Sequence, residues 1–150
     1  MMAFVTEPFA RGAADLAEDA RKLLGEIDQS VPGASALTAD CRPALDVIET
    51  ASAIEVMVDV AGVTADALRV VVRRDTLLVV GAKLPGPAGG EARFHLAERS
   101  FGRFARAVRL GGAFDAGQAR ATVRAGLLRV VLPRLSDRRG QLLTIPIERA

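Results

Sequence analysis

The stretch Ile54-Glu55-Val56-Met57-Val58-Asp59-Val60, IEVMVDV, places Ile54, Val56, Val58 and Val60 on one side of an extended chain. Glu55, Met57 and Asp59 fall on the other side. Alternation with period two marks a strand that buries one face and leaves the other in water. Runs of the same kind lie on both sides of it. ALDVIE (44–49) precedes it, and LRVVVRR (68–74) and TLLVVGA (76–82) follow, with Asp75 between them where a tight turn fits. LPGPAGGEA (84–92) holds two prolines and three glycines and reads as a loop. RFHLAE (93–98) reads as a short strand. FARAVRL (104–110) alternates Phe104, Arg106, Val108 and Leu110 against Ala105, Ala107 and Arg109. QARATVRAG (118–126) and LLRVVLP (127–133) complete the set, and Gly126 offers a tight connection between them. Seven or eight short strands with no helices between them predict an all-β sandwich.

Upstream, residues 1–40 change character. DLAEDARKLLGEI (15–27) is the one helical pattern, with Asp15 and Glu18 as a capping-box-like start. Leu16, Ala20, Leu23, Leu24 and Ile27 recur at helical spacing, opposite Glu18, Arg21 and Lys22. Gly25 weakens its end, and VPGAS (31–35) reads as a linker or turn. So short a helix does not stand alone in water, so it lies on a partner surface or stays partly disordered. Phe4, Val5 and Phe9 sit among prolines and glycines rather than in a strand. Phe4, Phe9, Leu16, Leu23, Leu24 and Ile27 are therefore candidates for an arm that joins other arms or binds non-native chains. Packing of each Phe against the chain's own sandwich stays equally open.

The 150 residues suit one domain with flanking segments, and 50% of them are hydrophobic. The six aromatics are all Phe, so the core is built from Val, Leu, Ile and Ala. Residues 1–90 carry 13 acidic against 8 basic side chains, and residues 91–150 carry 5 against 12. The basic half spaces its arginines singly along apparent strands, with no stacking aromatics among them, which argues against specific nucleic-acid binding. Cys41 is the single cysteine, which fits a reducing compartment. No signal peptide pattern and no membrane-length apolar run are seen, so the expected location is cytoplasmic.

Chemistry is sparse. His95 is the only histidine, and no HExxH or CxxC pattern exists. GPAGG (86–90) is not followed by Lys-Ser/Thr, so it is no P-loop. No catalytic residue, metal site or cofactor is assigned, and an enzyme is not expected.

The end of the chain, LTIPIE (143–148), sets Ile145 and Ile147 two apart, so that in extended chain they project to one side as adjacent knobs. Pro146 disfavours helix and lowers the entropy of ordering. Such a segment suits docking at a sheet edge. A last strand of its own domain is the other reading.

In order and spacing, several pieces together resemble the Hsp20, or α-crystallin, family of bacterial small heat-shock proteins. PALDVIET with IEVMVDVAGV resembles the opening of the α-crystallin domain. ERSFGRFARAVRL (98–110) resembles the E-R-x-x-G-x-F-x-R signature, and ATVRAGLLRVVLP (121–133) the A-x-x-x-x-G-x-L-x-V-x-x-P segment. IPI (145–147) is similar to the I-x-I/V motif. Ala61 stands where the family often has proline, and Gly111 follows Leu110 where another proline is frequent.

The resemblance implies an immunoglobulin-like β-sandwich, the α-crystallin domain, over residues 41–134. An N-terminal arm, partly helical or disordered, precedes it at 1–40, and an extended C-terminal tail follows at 135–150. It implies a dimer as building block of a larger homo-oligomer, with Phe94, His95, Leu96, Arg106 and Arg109 as candidate dimer contacts. Ile145, Pro146 and Ile147 become the oligomerisation anchor, and Leu68, Val70, Val72, Ala121 and Val123 the candidate groove for it on another subunit. The implied activity is ATP-independent holdase action on non-native client proteins, with ATP-dependent chaperones doing the refolding. An adaptor or structural protein that recognises one folded partner through the same sandwich is the alternative. RNA binding is disfavoured for want of aromatics and a recognition motif.

Overall fold

The computed structural model describes residues 13–36, 41–86, 92–135, 142 and 144–149. Phe4 and Phe9 lie outside the described residues. One helix, α1 (Ala13–Ser30), precedes seven strands: β1 (Leu45–Glu49), β2 (Ala53–Asp59), β3 (Leu68–Arg73), β4 (Thr76–Lys83), β5 (Gly102–Arg109), β6 (Arg120–Arg124) and β7 (Leu127–Pro133). They form two antiparallel sheets, ordered β1-β2-β7-β6 and β3-β4-β5, packed as a β-sandwich.

The alternation in IEVMVDV sets the inner face of the larger sheet. Ile54, Val56 and Val58 pair with Leu132, Val130 and Leu128 across β2 and β7, and all six are buried. Glu55 points outward and meets Arg129 in a two-bond contact of 2.7 and 3.1 Å. From the smaller sheet, Leu77, Val79, Phe104 and Val108 fill the space between the sheets. Gly81 sits opposite both Leu68 and Phe104, and the Phe104 ring covers the place a side chain would take.

β4 differs from the other strands, because every residue from Thr76 to Ala82 is buried. Both of its faces need cover. The outer cover is α1, which contacts β4, β3 and the short 3-10 turn at Ala65–Ala67. Ile27 is fully buried there, and Ala20, Leu23 and Leu24 pack beside it. The helix therefore neither lies on a partner nor stays disordered over 13–30: its apolar stripe lies on its own sheet. It starts at Ala13, so Asp15 falls inside the first turn. The VPGAS stretch is a turn rather than a linker, with Val31 and Ala34 buried in the core.

RFHLAE forms no strand. A lone extended segment leaves its backbone groups unpaired unless a neighbouring strand takes them, and β4 already has a partner on each side.

Two tight strand connections put non-glycine residues in left-handed backbone. Arg74 (φ 55°) lies between β3 and β4, and Ala125 (φ 50°) with Gly126 (φ 76°) joins β6 to β7. The second pair has the two positive φ values of a type I′ hairpin turn. A Cβ on Gly126 would stand 3.2 Å from the Cα of Ala61, and the Val60 amide donates to the Gly126 carbonyl at 2.7 Å.

Gly81→Ala should lower the free energy of unfolding by roughly 1–3 kcal/mol through overpacking. The new Cβ would collide with Phe104 Cζ and lie 2.8 Å from both the Ala67 carbonyl oxygen and Leu68 Cδ2. Ala125→Asn should raise it by up to about 1 kcal/mol, since asparagine tolerates the left-handed region better than alanine. Urea unfolding of the two variants against the parent checks both signs.

Candidate functional site

The two sheets leave a seam along one side. Arg106 of β5 donates to the carbonyl of Pro43, just ahead of β1. β5 thus lies across from β1, and at the other side β3 lies across from β6; both are edge strands. Val70 and Val72 share the face of Leu77 and Val79, directed between the sheets. Ala121 and Val123 share the face of Val130 and Leu128, also inward. These four small aliphatic side chains thus lie on the inward faces of two edge strands, half-buried except for exposed Ala121. Leu68 is different. It is buried opposite Gly81, in the core rather than at the rim.

The described tail residues form no helix or strand, and β7 ends at Pro133. Ile145 and Ile147 are 84% and 97% exposed, on either side of Pro146. The reading of this tail as a last strand of its own domain has no counterpart among them.

Phe94, His95 and Leu96 lie in irregular chain, with Phe94 73% and Leu96 75% exposed. Phe94 and Leu96 flank a hollow lined also by Pro85, Arg93 and Phe101. Its wall is stiffened where the Arg99 guanidinium stacks 4.9 Å from the centre of the Phe101 ring.

Arg106 and Arg109 of β5 are not brought together. Residues of opposite parity on a strand leave opposite faces. Arg106 turns inward, where burial, and then the charge of Arg42, pulls its guanidinium below the usual arginine value. Arg109 turns outward and donates through Nε to Asp75 Oδ2 at 2.6 Å. That hydrogen bond, added to the arginine's charge, holds the Asp75 carboxyl below the usual carboxylate range.

Cys41 packs half-buried against the core, whereas His95 is exposed. Among the described residues no group of three or more His, Cys, Asp and Glu is placed to hold a metal ion. No helix among them is long and apolar enough to cross a membrane.

One feature of the surface escaped the sequence reading. Arg73 and Arg103 bind Asp19 and Asp28 of α1, each at 3.1 Å, and so clasp the helix at both flanks. The signal that could have found it is TLLVVGA: a strand apolar at consecutive positions is covered on both faces.

The chain matches the Hsp20/alpha crystallin family over residues 46–148. It is 31% identical over 121 residues to the 18.9 kDa heat shock protein of Oryza sativa subsp. japonica, covering 79% of this chain and 68% of that one. It is 34% identical over 92 residues to spore protein SP21 of Stigmatella aurantiaca, covering 61% of this chain and 54% of the relative. Among solved structures it resembles heat shock protein 16.0 from Schizosaccharomyces pombe, with a TM-score of 0.62, 26% identity, and coverage of 73% of this chain and all of that one. Sandwich, seam and tail together with these matches place one conclusion on firm ground: the chain belongs to the Hsp20/α-crystallin family of small heat-shock proteins.

Proposed function

We propose that this protein is an ATP-independent holdase that binds unfolding proteins and limits their aggregation, working in the cytoplasm. Its sandwich is read as the immunoglobulin-like α-crystallin domain of residues 41–134, with an arm at 1–40 and a tail at 135–150. The building block is a dimer formed around Phe94–Leu96, in which that segment finds in a partner the strand neighbour it lacks in its own chain. ATP-dependent chaperones then take up the held chains.

A single observation carries the reading: two almost fully exposed isoleucines at the tail of a chain whose own edge strands leave an aliphatic seam. Tail and seam are complementary in chemistry and in spacing. Side chains two apart on an extended segment repeat at about 7 Å, and Val70 and Val72 repeat in the same way along β3. Docked on another subunit, Ile145 and Ile147 would contribute roughly 3–6 kcal/mol before ordering costs. One such contact is weak after those costs. Several in one oligomer add up, because each bound tail raises the effective concentration of the next.

The test compares the full-length protein with an Ile145→Ala/Ile147→Ala variant by absolute mass in solution and by suppression of heat-induced aggregation of several unrelated substrate proteins without nucleotide. The variant should shift toward dimers or other small assemblies, while the parent protects the substrates at near-stoichiometric ratios. Unchanged mass removes the tail as the anchor. A parent that protects none of the substrates removes the holdase reading and favours an adaptor built on the same sandwich.

A further inference from the structure

The outer face of the β3-β4-β5 sheet is unlike the wet side of a half-buried sheet. Val71, Leu78, Val80, Ala82 and Ala107 make an apolar strip across its middle. Arg69, Arg73, Arg103 and Arg109 share that face around the strip. α1 is its complement in both respects. Its apolar stripe covers the strip, and Asp19 and Asp28 stand nine residues apart, about two and a half turns. They therefore leave opposite flanks of the helix, one toward Arg73 on β3 and the other toward Arg103 on β5.

Against the full burial of Ile27 stand several features that weaken the cover. Gly25 lies in the helix interior, where it costs stability relative to alanine. Asp28 sits near the C-terminal end, where the helix dipole disfavours a carboxylate, and the last turn holds no basic residue. Asp28 Oδ1 is buried without a hydrogen-bond partner. Both clasping ion pairs are partly exposed, so water weakens them. The sheet, by contrast, completes its ladders through β3, β4 and β5 alone. The family match also begins at residue 46, after the helix. α1 can lift without breaking a strand pairing.

We infer that α1 is a removable cover, and that the face beneath it is a docking surface for apolar segments of non-native chains that carry carboxylates at their flanks. The inference rests on the proposed capture of non-native chains and adds to it a location and a charge preference. The arginine rim supplies the preference: once Asp19 and Asp28 leave, Arg73 and Arg103 face solvent beside apolar surface and favour an acidic replacement.

The test uses the full-length protein and a labelled peptide with the sequence of residues 13–30, which stands in for such a segment. A second peptide carries Asp19→Lys and Asp28→Lys. The first should bind at least fivefold more tightly than the second. In the protein, Gly25→Ala meets no heavy atom within 4 Å, so it strengthens the cover. It should weaken binding of both peptides about fivefold, the equilibrium equivalent of the glycine-to-alanine propensity gap. Arg73→Gln with Arg103→Gln should abolish the preference between the peptides. Equal affinity of the two peptides for the parent, or binding indifferent to Gly25→Ala, overturns the inference. So does a peptide signal that fades as protein concentration rises, since that marks a neighbouring copy's α1 as the occupant. Aggregation suppression in the same preparations reads the holdase proposal separately. Discrimination without protection leaves the docking surface standing and removes the holdase, and protection without discrimination does the reverse.

Discussion

With α1 in place, β4 is covered twice. Its ladder bonds go to β3 on one side and β5 on the other, so its backbone is satisfied within the smaller sheet. Its side chains are not. Leu77 and Val79 need the larger sheet, and Leu78 and Val80 need something outside the sandwich. Each such aliphatic side chain contributes roughly 1.5–3 kcal/mol when fully buried. A sandwich of two sheets alone meets half of that requirement. The amphipathic α1 meets the other half, and this explains why a helix with Gly25 in its interior is nonetheless formed: the strip on β4 supplies the burial that propensity does not.

The sheets were legible in the sequence where burial is one-sided. IEVMVDV alternates, and the structure buries the residues that the alternation selects. FARAVRL does the same with Phe104 and Val108. Where the answer depends on what lies opposite, the pattern runs out. TLLVVGA is apolar at consecutive positions, which implies two covers without naming them. RFHLAE has residues fit for a strand, yet a strand exists only when another chain segment takes its hydrogen bonds. The tail isoleucines were visible from spacing as adjacent knobs, and their exposure is seen in the structure. The seam residues entered through family resemblance, because no periodicity in β3 or β6 says which strand of the other sheet lies across from them. The clasp of Asp19 and Asp28 was hidden for the same reason, being contacts across 54 and 75 residues of sequence.

Small residues set the close approaches. Gly81 admits Phe104 where any side chain would displace the ring. At the end of the sandwich the β6–β7 turn presses Gly126 against the backbone of Ala61. Ala61 stands where the family resemblance leads to an expected proline. A Cβ at 126 would meet both the Cα and the Cβ of Ala61, at 3.2 and 3.3 Å, and the Val60 amide is tied to the Gly126 carbonyl. The fit of this end thus follows from the missing side chain at 126 and from the hydrogen bond, and the residue at 61 need not fix its own φ for the turn to close.

β3 carries both surfaces on its two sides. Val70 and Val72 look inward to the seam, while Val71 and Arg73 look outward to α1. Its one ladder neighbour is β4, so its free edge is where a docked segment would add backbone bonds. Ordering that edge reduces the freedom of the strand that holds one half of the helix clasp. Strands transmit such restraint because adjacent residues share a backbone even as their side chains leave opposite faces. The seam and the surface under the helix thus share six residues, Leu68–Arg73. Among the described residues β6 borders the seam, and β4 and β5 lie beneath or beside the helix.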